Sequence, residues 1–301
     1  MRTAYLGTSD FAATVLRRLA ASSHRPALVV TPPDRRQGRG RKVKPPPAAI
    51  AARELGLELL QAENVNQEEA LERIRVARPE AVVVCAFGQL IREPLLSEYL
   101  MLNVHPSLLP RWRGAAPIER AIMARDEKTG VSVMRLTEGL DSGPVARSFE
   151  LPLNPDEDFE QLSDRLADVG AELLLGALDE AEEEQLEFSE QDEDGVTYAE
   201  KIEPAERRLD PERPAIELAA KVRALTPHVG AFLELAEGER LGVRRAHAVA
   251  DAVERGKLEE REGALLLGTA DGALRLDVVQ PPGGKPMAAA DYLRGHSLPG
   301  G

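Results

Sequence analysis

The stretch MLNVHPSLLPRWRGAAPIERA, residues 101–121, has the order of a strand, a break and a helix. Side chains alternate across a strand, so the apolar Leu102 and Val104 point to one face. The polar Asn103 and His105 point to the opposite face, just before a proline ends the regular structure. The stretch therefore predicts a strand with one buried face that carries two polar side chains to its carboxyl end.

Strand and helix patterns alternate around this stretch throughout the first half of the chain. The apolar run AVVVCA at residues 81–86 is typical of a central strand in a parallel sheet, which is covered on both faces. The alternation predicts βαβ units and a mostly parallel sheet, which is an α/β fold. Ligands bind such sheets at the carboxyl ends of strands, so the His105 end is a candidate site. The predicted strands span residues 2–6, 27–31, 57–60, 81–86 and 101–105, and the helices span residues 11–21, 48–56, 67–77 and 117–124.

The pattern changes in the second half of the chain. Two further strands flank the turn EGLDSG, a long amphipathic helix follows, and polar, turn-rich residues after it indicate a linker. A short helix then precedes strand-like segments separated by glycine turns, which predict a small antiparallel β-barrel. The predicted division is a catalytic domain at residues 1–188, a linker at 189–207 and a C-terminal domain at 208–301. The strands are expected at residues 130–135, 145–151, 231–235, 241–249, 264–269 and 273–279, and the helices at 159–184 and 215–224.

Composition indicates a two-domain protein of a reducing compartment. The 301 residues exceed one typical core, and a mean hydropathy of −0.28 without any apolar run of membrane-spanning length predicts a soluble protein with no membrane contact. The N-terminus resembles neither a signal peptide nor a transit peptide, and the single Cys85 excludes a disulfide within the chain. A cytoplasmic location is therefore expected. The five histidines have no metal-ligand spacing, so no metal site is expected.

The uneven distribution of charge bears on nucleic acid as a partner. The chain carries −13, but residues 151–206 alone hold 20 acidic and two basic residues, so the remainder is net positive. Six of the ten residues from Arg35 to Lys44 are basic, and Gly38 and Gly40 favour a flexible loop. A run of charge is often only a solvated loop. Its position after the second strand, on the ligand side of a parallel sheet, favours contacts with phosphates instead.

Asn103 and His105 suit chemistry at a carbonyl group. An amide donor can stabilise an oxyanion, and an imidazole can transfer a proton. Asp141 lies between Gly139 and Gly143, which allow unusual backbone angles and close approach, and a carboxylate there can orient the histidine. Each of these residues also has a simpler interpretation as a hydrogen-bonded loop or turn residue. The opening turn GTSDF lacks the GxGxxG pattern and the chain has no Walker A motif, so no dinucleotide site is expected.

Several motifs together resemble those of the methionyl-tRNA formyltransferases over the whole chain. They are GTSDFA, TPPDRRQGRGRK, CAFGQLI, NVHPSLLPRWRGAAPI, EGLDSG, TYAEKI, VRALTP and AADYLRGH. The resemblance implies a Rossmann-like domain followed by a small OB-like barrel domain. It also implies transfer of a formyl group from 10-formyltetrahydrofolate, a co-substrate, to the α-amine of methionine on initiator methionyl-tRNA. No tightly bound cofactor is implied, and a monomer is expected.

The resemblance also implies roles for individual residues. Three residues would be catalytic, a second group would line the folate site, and the basic loop would grip the tRNA acceptor stem. The catalytic set is Asn103, His105 and Asp141; the folate-binding set is Ser107, Leu108, Leu109, Pro110, Phe87, Gly88 and Gly143; and the tRNA-binding set is Arg35, Arg36, Arg39, Arg41, Lys42 and Lys44.

The sequence departs from the family pattern at two positions, and two rival functions remain open. Pro106 follows His105 where many members have Ala or Gly, and His228 stands where Trp is usual. A transferase for a small-molecule amine, such as glycinamide ribonucleotide or a sugar amine, or a formyltetrahydrofolate hydrolase would use the same Asn/His/Asp set. Neither would need the basic loop or the second domain. A non-enzymatic RNA-binding module would keep the loop and the barrel but would not bind folate.

Overall fold

The computed structural model describes residues 1–37, 42–235, 238–296 and 298. The chain divides into two compact units. The first comprises Met1–Gly114, Thr129–Leu151 and Ser163–Tyr198, and the second comprises Ala115–Lys128, Pro152–Leu162 and Ala199–Gly301. Each unit is thus built from segments that are distant in the sequence.

The strands and helices within the described residues follow the alternation seen in the sequence. The strands are β1 (Thr3–Gly7), β2 (Pro26–Thr31), β3 (Arg35–Gln37), β4 (Lys42–Lys44), β5 (Leu59–Gln61), β6 (Ala81–Cys85), β7 (Leu100–His105), β8 (Arg113–Gly114), β9 (Lys128–Arg135), β10 (Val145–Pro152), β11 (Tyr198–Ala199), β12 (Ala231–Glu234), β13 (Arg240–Val249), β14 (Leu258–Arg261), β15 (Ala264–Gly268), β16 (Ala273–Gln280) and β17 (Met287–Ala288). The α-helices are α1 (Asp10–Ala20), α2 (Pro47–Glu54), α3 (Glu68–Ala77), α4 (Leu95–Glu98), α5 (Pro117–Ala124), α6 (Phe159–Glu182), α7 (Ala215–Leu225) and α8 (Ala289–Gly295).

A seven-stranded sheet in the order β10-β9-β7-β6-β1-β2-β5 forms the centre of the first unit. The strands from β7 to β5 pair in parallel, whereas β9 runs antiparallel to β7. All five residues of β6 are buried, as expected of a strand covered on both faces. The carboxyl ends of β1, β6 and β7 therefore share one edge of the sheet, and β7 delivers His105 there.

Helix α6 packs directly on the apolar face of β7. A Cβ atom at Gly170 would lie 2.8 Å from Cγ1 of Val104 and 3.1 Å from Cγ1 of Val131, closer than a side chain normally allows. The glycine thus lets the helix backbone reach the sheet. Because residues alternate along β7, this contact fixes Asn103 and His105 on the opposite face.

An antiparallel sheet surrounds a separate core in the second unit. Its order is β12-β13-β16-β15-β14, and β17 also pairs with β16. The pairs in this sheet are antiparallel, and alternate residues of its strands point into the core together with one face of α7. Fully or nearly fully buried members of this core are Leu218, Val222, Leu241, Val243, Leu265, Leu267, Leu274 and Leu276.

The predicted fold class, a mostly parallel α/β sheet followed by a separate antiparallel sheet, is confirmed. The basic stretch differs from the expected loop, because its two ends pair as the antiparallel strands β3 and β4. Strand β14 was not predicted, since its sequence LEER is polar and charged. It lies at the end of the sheet and pairs only with β15 among the described strands, so it needs few apolar residues.

Candidate active site

Strand β7 brings Asn103 and His105 to the carboxyl edge of the sheet, where Asp141 meets them. Asn103 and His105 are 7% and 4% exposed. Nδ2 of Asn103 donates to Oδ1 of Asp141 at 3.3 Å, and Nδ1 of His105 lies 3.7 Å from Oδ2 of the same carboxylate. The backbone N–H of Gly114 also donates to Oδ2, at 2.9 Å. The structure therefore brings together the three residues that the sequence predicts as catalytic.

The turn that carries Asp141 is held in an unusual backbone conformation. The positive φ, 44°, belongs to Asp141 itself, and neither flanking glycine of the turn is in this region. Gly143 is needed for close approach instead, since a Cβ there would lie 2.0 Å from the carbonyl oxygen of Arg135. The left-handed backbone aims the carboxylate, while the glycine lets the two arms of the turn approach each other.

His105 is held through its second ring nitrogen. Nε2 lies 2.9 Å from the carbonyl oxygen of Trp112, a residue with φ of 62°. A carbonyl oxygen can only accept a hydrogen bond, so Nε2 carries a hydrogen. In the neutral imidazole the lone pair is then on Nδ1, the atom that faces Asp141. This arrangement suits a group that takes up a proton at Nδ1 beside a carboxylate that stabilises the resulting positive charge.

The loop that follows His105 is fastened by two buried hydroxyl groups. Oγ of Ser107 donates to the carbonyl oxygen of Arg111 at 2.7 Å, and Oγ of Ser132 donates to that of Ser107 at 2.8 Å. Ser132 also accepts from the backbone N–H of Leu109 at 3.2 Å. Because the Ser107 hydroxyl is used within the loop, the loop offers a ligand its backbone and the partly exposed residues 108–110.

The other residues predicted for the folate site lie at the same edge of the sheet, but they differ in which of their atoms a ligand could reach. The ring of Phe87 is 3% exposed and packs in the core of the first unit, so only its backbone remains at the end of β6. Its carbonyl oxygen accepts from Oγ1 of Thr8 at 2.7 Å. Gly88 follows with φ of 76°. The carbonyl of Gly143 accepts a hydrogen bond from Gln191 at 2.8 Å and is thus engaged within the protein.

The basic stretch forms the stem of a hairpin. Arg35 pairs opposite Lys44, and Gln37 opposite Lys42, so residues 35, 42 and 44 share one face while Arg36 lies on the other. All four described basic side chains are exposed. Like charges directly opposite each other destabilise a strand pair unless anions neutralise them. Arg39 and Arg41, also predicted to bind tRNA, lie outside the described residues.

Sequence reasoning missed a polar segment of the first unit that contacts this site, residues 188–198, hereafter the crossing segment. Its Ser189 exchanges two backbone hydrogen bonds with Val145, at 2.8 and 2.9 Å. Within it, Gln191 contacts the Asp141 turn and Thr197 contacts Trp112. The sequence predicts a linker over most of this segment, because polar and turn residues dominate it. A signal exists only at its end, where Thr197 and Tyr198 begin the motif TYAEKI; the rest of the segment has the composition of a solvated linker.

The described residues contain neither a metal-binding cluster nor a membrane-spanning helix. No cluster of three or more His, Cys, Asp or Glu side chains is arranged there to hold a metal ion. No helix in the described ranges is both long and apolar enough to cross a membrane.

Comparison with known proteins assigns the chain to a family. The family described as Formyl transferase matches residues 1–178, and the family described as Formyl transferase, C-terminal domain, matches residues 201–297. A methionyl-tRNA formyltransferase of Methylobacillus flagellatus is 43% identical over 301 residues, covering 99% of this chain and 97% of its own. The chain belongs to the methionyl-tRNA formyltransferase family. A relative of that name from Halorhodospira halophila is also 43% identical, over 99% of this chain and 97% of its own. The resemblance carried by the sequence motifs is thereby confirmed.

Solved structures share the fold of this formyltransferase at low identity. HypX from Aquifex aeolicus in complex with tetrahydrofolic acid superposes with a TM-score of 0.67 at 19% identity, over 97% of this chain and 47% of its own. A methionyl-tRNA formyltransferase from Clostridium thermocellum gives a TM-score of 0.58 at 14% identity, over 83% of this chain and 94% of its own. At these identities the likeness concerns the fold.

Proposed function

We propose that this chain transfers the formyl group of 10-formyltetrahydrofolate to the α-amine of methionine on initiator methionyl-tRNA, for translation initiation. The observation that carries the proposal is the meeting of Asn103, His105 and Asp141 at one sheet edge. This cluster of three residues belongs to a chain whose full-length relatives at 40–43% identity bear the name methionyl-tRNA formyltransferase.

The amine nitrogen attacks the formyl carbon, and the carbonyl oxygen becomes an oxyanion. One N–H of the Asn103 amide is bonded to Asp141, so the other is the donor offered to that oxygen. Nδ1 of His105 takes the proton that the amine loses and gives it to the folate nitrogen as the old carbon–nitrogen bond breaks. Asp141, 3.7 Å from Nδ1, stabilises the imidazolium between these two transfers.

The folate is assigned to the loop after β7 and the neighbouring end of β6. Residues 108–110 offer partly exposed apolar surface, and Gly88 leaves open space beside the backbone. Ser107 keeps that loop in shape through its hydroxyl. The tetrahydrofolic acid complex of a protein with the same fold supports this class of co-substrate.

The tRNA is assigned to the hairpin of β3 and β4. Its stem presents exposed basic side chains, with Arg35 opposite Lys44, a pairing that neighbouring phosphates would neutralise. The rival small-molecule transferases and the hydrolase do not account for this basic hairpin.

The decisive experiment offers one formyl donor and several acceptors. The protein is incubated with 10-formyltetrahydrofolate and charged initiator tRNA, and formylmethionine is measured after the ester is hydrolysed. Parallel reactions contain glycinamide ribonucleotide, a nucleotide-linked sugar amine, or no acceptor. We expect formylation of the methionyl-tRNA and of none of the other acceptors. The proposal would be refuted if a small amine were formylated faster than methionyl-tRNA, or if formate were released faster without an acceptor. Either result would favour the corresponding rival function.

A further inference from the structure

We propose that Gln191 and Thr197 are positioning residues for formyl transfer, which rests on the function proposed above. Both belong to the crossing segment. Gln191 donates to the turn that carries Asp141, and Thr197 accepts from the backbone N–H groups of Trp112 and Arg113, on either side of the carbonyl that holds His105. Through them, one polar segment fixes the position of His105 relative to the carboxylate of Asp141.

The amide of Gln191 is fully engaged with the Asp141 turn and its neighbour. Nε2 donates to the carbonyl oxygens of Asp141 and Gly143, both at 2.8 Å. Oε1 accepts from Nε of Arg113 at 2.9 Å, and Arg113 is 7% exposed. With both amide hydrogens used, Gln191 has no donor left for a substrate, so it acts through the residues it holds.

This contact stabilises a backbone conformation that Asp141 does not favour. A residue with a side chain rarely adopts φ of 44° unless its surroundings enforce it. Two hydrogen bonds to carbonyls on either side of Ser142 brace the turn from outside. The carboxylate can then accept from Asn103 and from the Gly114 N–H without a change in the backbone.

Thr197 brackets Trp112 from the other end of the segment. Its hydroxyl oxygen accepts from the backbone N–H of Trp112, and its carbonyl oxygen accepts from that of Arg113, each at 2.9 Å. The peptide group between Trp112 and Arg113 therefore donates to Thr197 and accepts from Nε2 of His105. Hydrogen bonds in such a chain polarise and strengthen each other. The main-chain carbonyl of residue 197 thus strengthens the acceptor that fixes the tautomer of His105, while the threonine hydroxyl fixes the position of Trp112.

The test compares isosteric variants with matched controls in single-turnover formylation of methionyl-tRNA. Gln191→Glu keeps the shape and the contact with Arg113 but loses both donors. Gln185→Glu makes the same change at an exposed glutamine after α6. Thr197→Val removes the hydroxyl acceptor, and Thr197→Ser restores it. Thermal unfolding of every variant is measured alongside.

We expect Gln191→Glu and Thr197→Val to lower the rate constant about 10- to 100-fold, because small misplacements at a reacting centre are costly. The apparent KM for both substrates should change less than about twofold, and Thr197→Ser and Gln185→Glu should remain close to the wild type. In an Asp141→Asn background Gln191→Glu should add less than about threefold, since its effect passes through that carboxylate.

Three results would overturn the inference while leaving the proposed function intact: wild-type rates in both variants, an equal loss with and without Asp141, or a failure of Thr197→Ser to restore the rate. A wild-type protein that formylates no methionyl-tRNA would refute the proposed function itself. The two failures are therefore distinguished by the wild-type reaction alone.

Discussion

Replacing Asp141 with Asn isolates the role of a negative charge beside His105. The variant keeps the size of the side chain, and its oxygen can still accept from the Gly114 N–H. It removes the charge that lies 3.7 Å from Nδ1 of His105. It also turns one acceptor into a donor that faces the Asn103 amide, so both asparagines would present N–H groups to each other.

The size of the effect follows from this distance. Two unit charges at 3.7 Å interact by about 4 to 5 kcal/mol at an effective dielectric constant near 20. The Asp141 side chain is 14% exposed, so solvent screening reduces this to roughly 3 to 4 kcal/mol. If most of that stabilisation is present only while the imidazole is protonated, the rate constant for formyl transfer should fall by about 10²- to 10³-fold.

The measurement is a rapid-quench single turnover with enzyme in excess over methionyl-tRNA and with saturating 10-formyltetrahydrofolate. Asp164→Asn makes the same chemical change at an exposed carboxylate of α6 that is not part of the site, and it should leave the rate unchanged. Circular dichroism and melting temperature exclude a folding defect. A rate for Asp141→Asn within about threefold of the wild type would refute the electrostatic reasoning, because no comparable stabilisation could then act in the transition state.

Four further perturbations test other parts of the molecule. Asn103→Ala should lower the same single-turnover rate constant by about 10²–10³, since an oxyanion donor is lost; a rate near the wild type would remove it from the mechanism. Replacing Lys42 and Lys44 with Ala should flatten the slope of log K for tRNA against log salt by about 1 to 2 in filter-binding titrations, and an unchanged slope would make the hairpin a solvated surface. Leu276→Ala, in the core of the second unit, should lower the free energy of unfolding by about 2–5 kcal/mol in denaturant titrations. Burial raises the pKa of the Cys85 thiol from 9.0 to about 12. The contribution of this thiol to the free energy of unfolding is therefore fully present below pH 9 and is lost as the pH rises towards 12. Cys85→Ala should make this decline shallower when the melting temperature is measured against pH.

The sequence predicts the sheet and the polar pair on β7 because both depend on local periodicity. The run at residues 81–86 is apolar throughout since β6 is covered on both faces, and that covering leaves a direct trace in composition. The polar positions of β7 alternate with Leu102 and Val104, so their shared face follows from strand geometry alone.

The contacts of the crossing segment with the site could not be predicted, because they join residues that are distant in the sequence. Two of its polar side chains form hydrogen bonds with backbone atoms more than 45 residues away in the sequence: Gln191 donates to a carbonyl oxygen, and Thr197 accepts from an N–H. A glutamine that braces a turn and a glutamine in solvent occur in the same kind of local sequence. The tautomer of His105 was likewise out of reach, because it depends on a carbonyl group, and every residue has one.

The stems of the basic hairpin show a third kind of limit. Arg35–Gln37 and Lys42–Lys44 have little of the branched or aromatic composition typical of strands, and their shared charge disfavours pairing. The sequence therefore favoured a loop over the antiparallel register that the structure shows.

The two peptide groups that flank Arg113 form part of the site through main-chain atoms only. The carbonyl before it binds Nε2 of His105, and the N–H after it binds the carboxylate of Asp141. Alanine scanning leaves both atoms in place, so a survey of side chains would assign this stretch no part in the chemistry. Its contribution becomes measurable by amide-to-ester exchange, since an α-hydroxy acid at position 114 removes the N–H while keeping the rest of the chain intact.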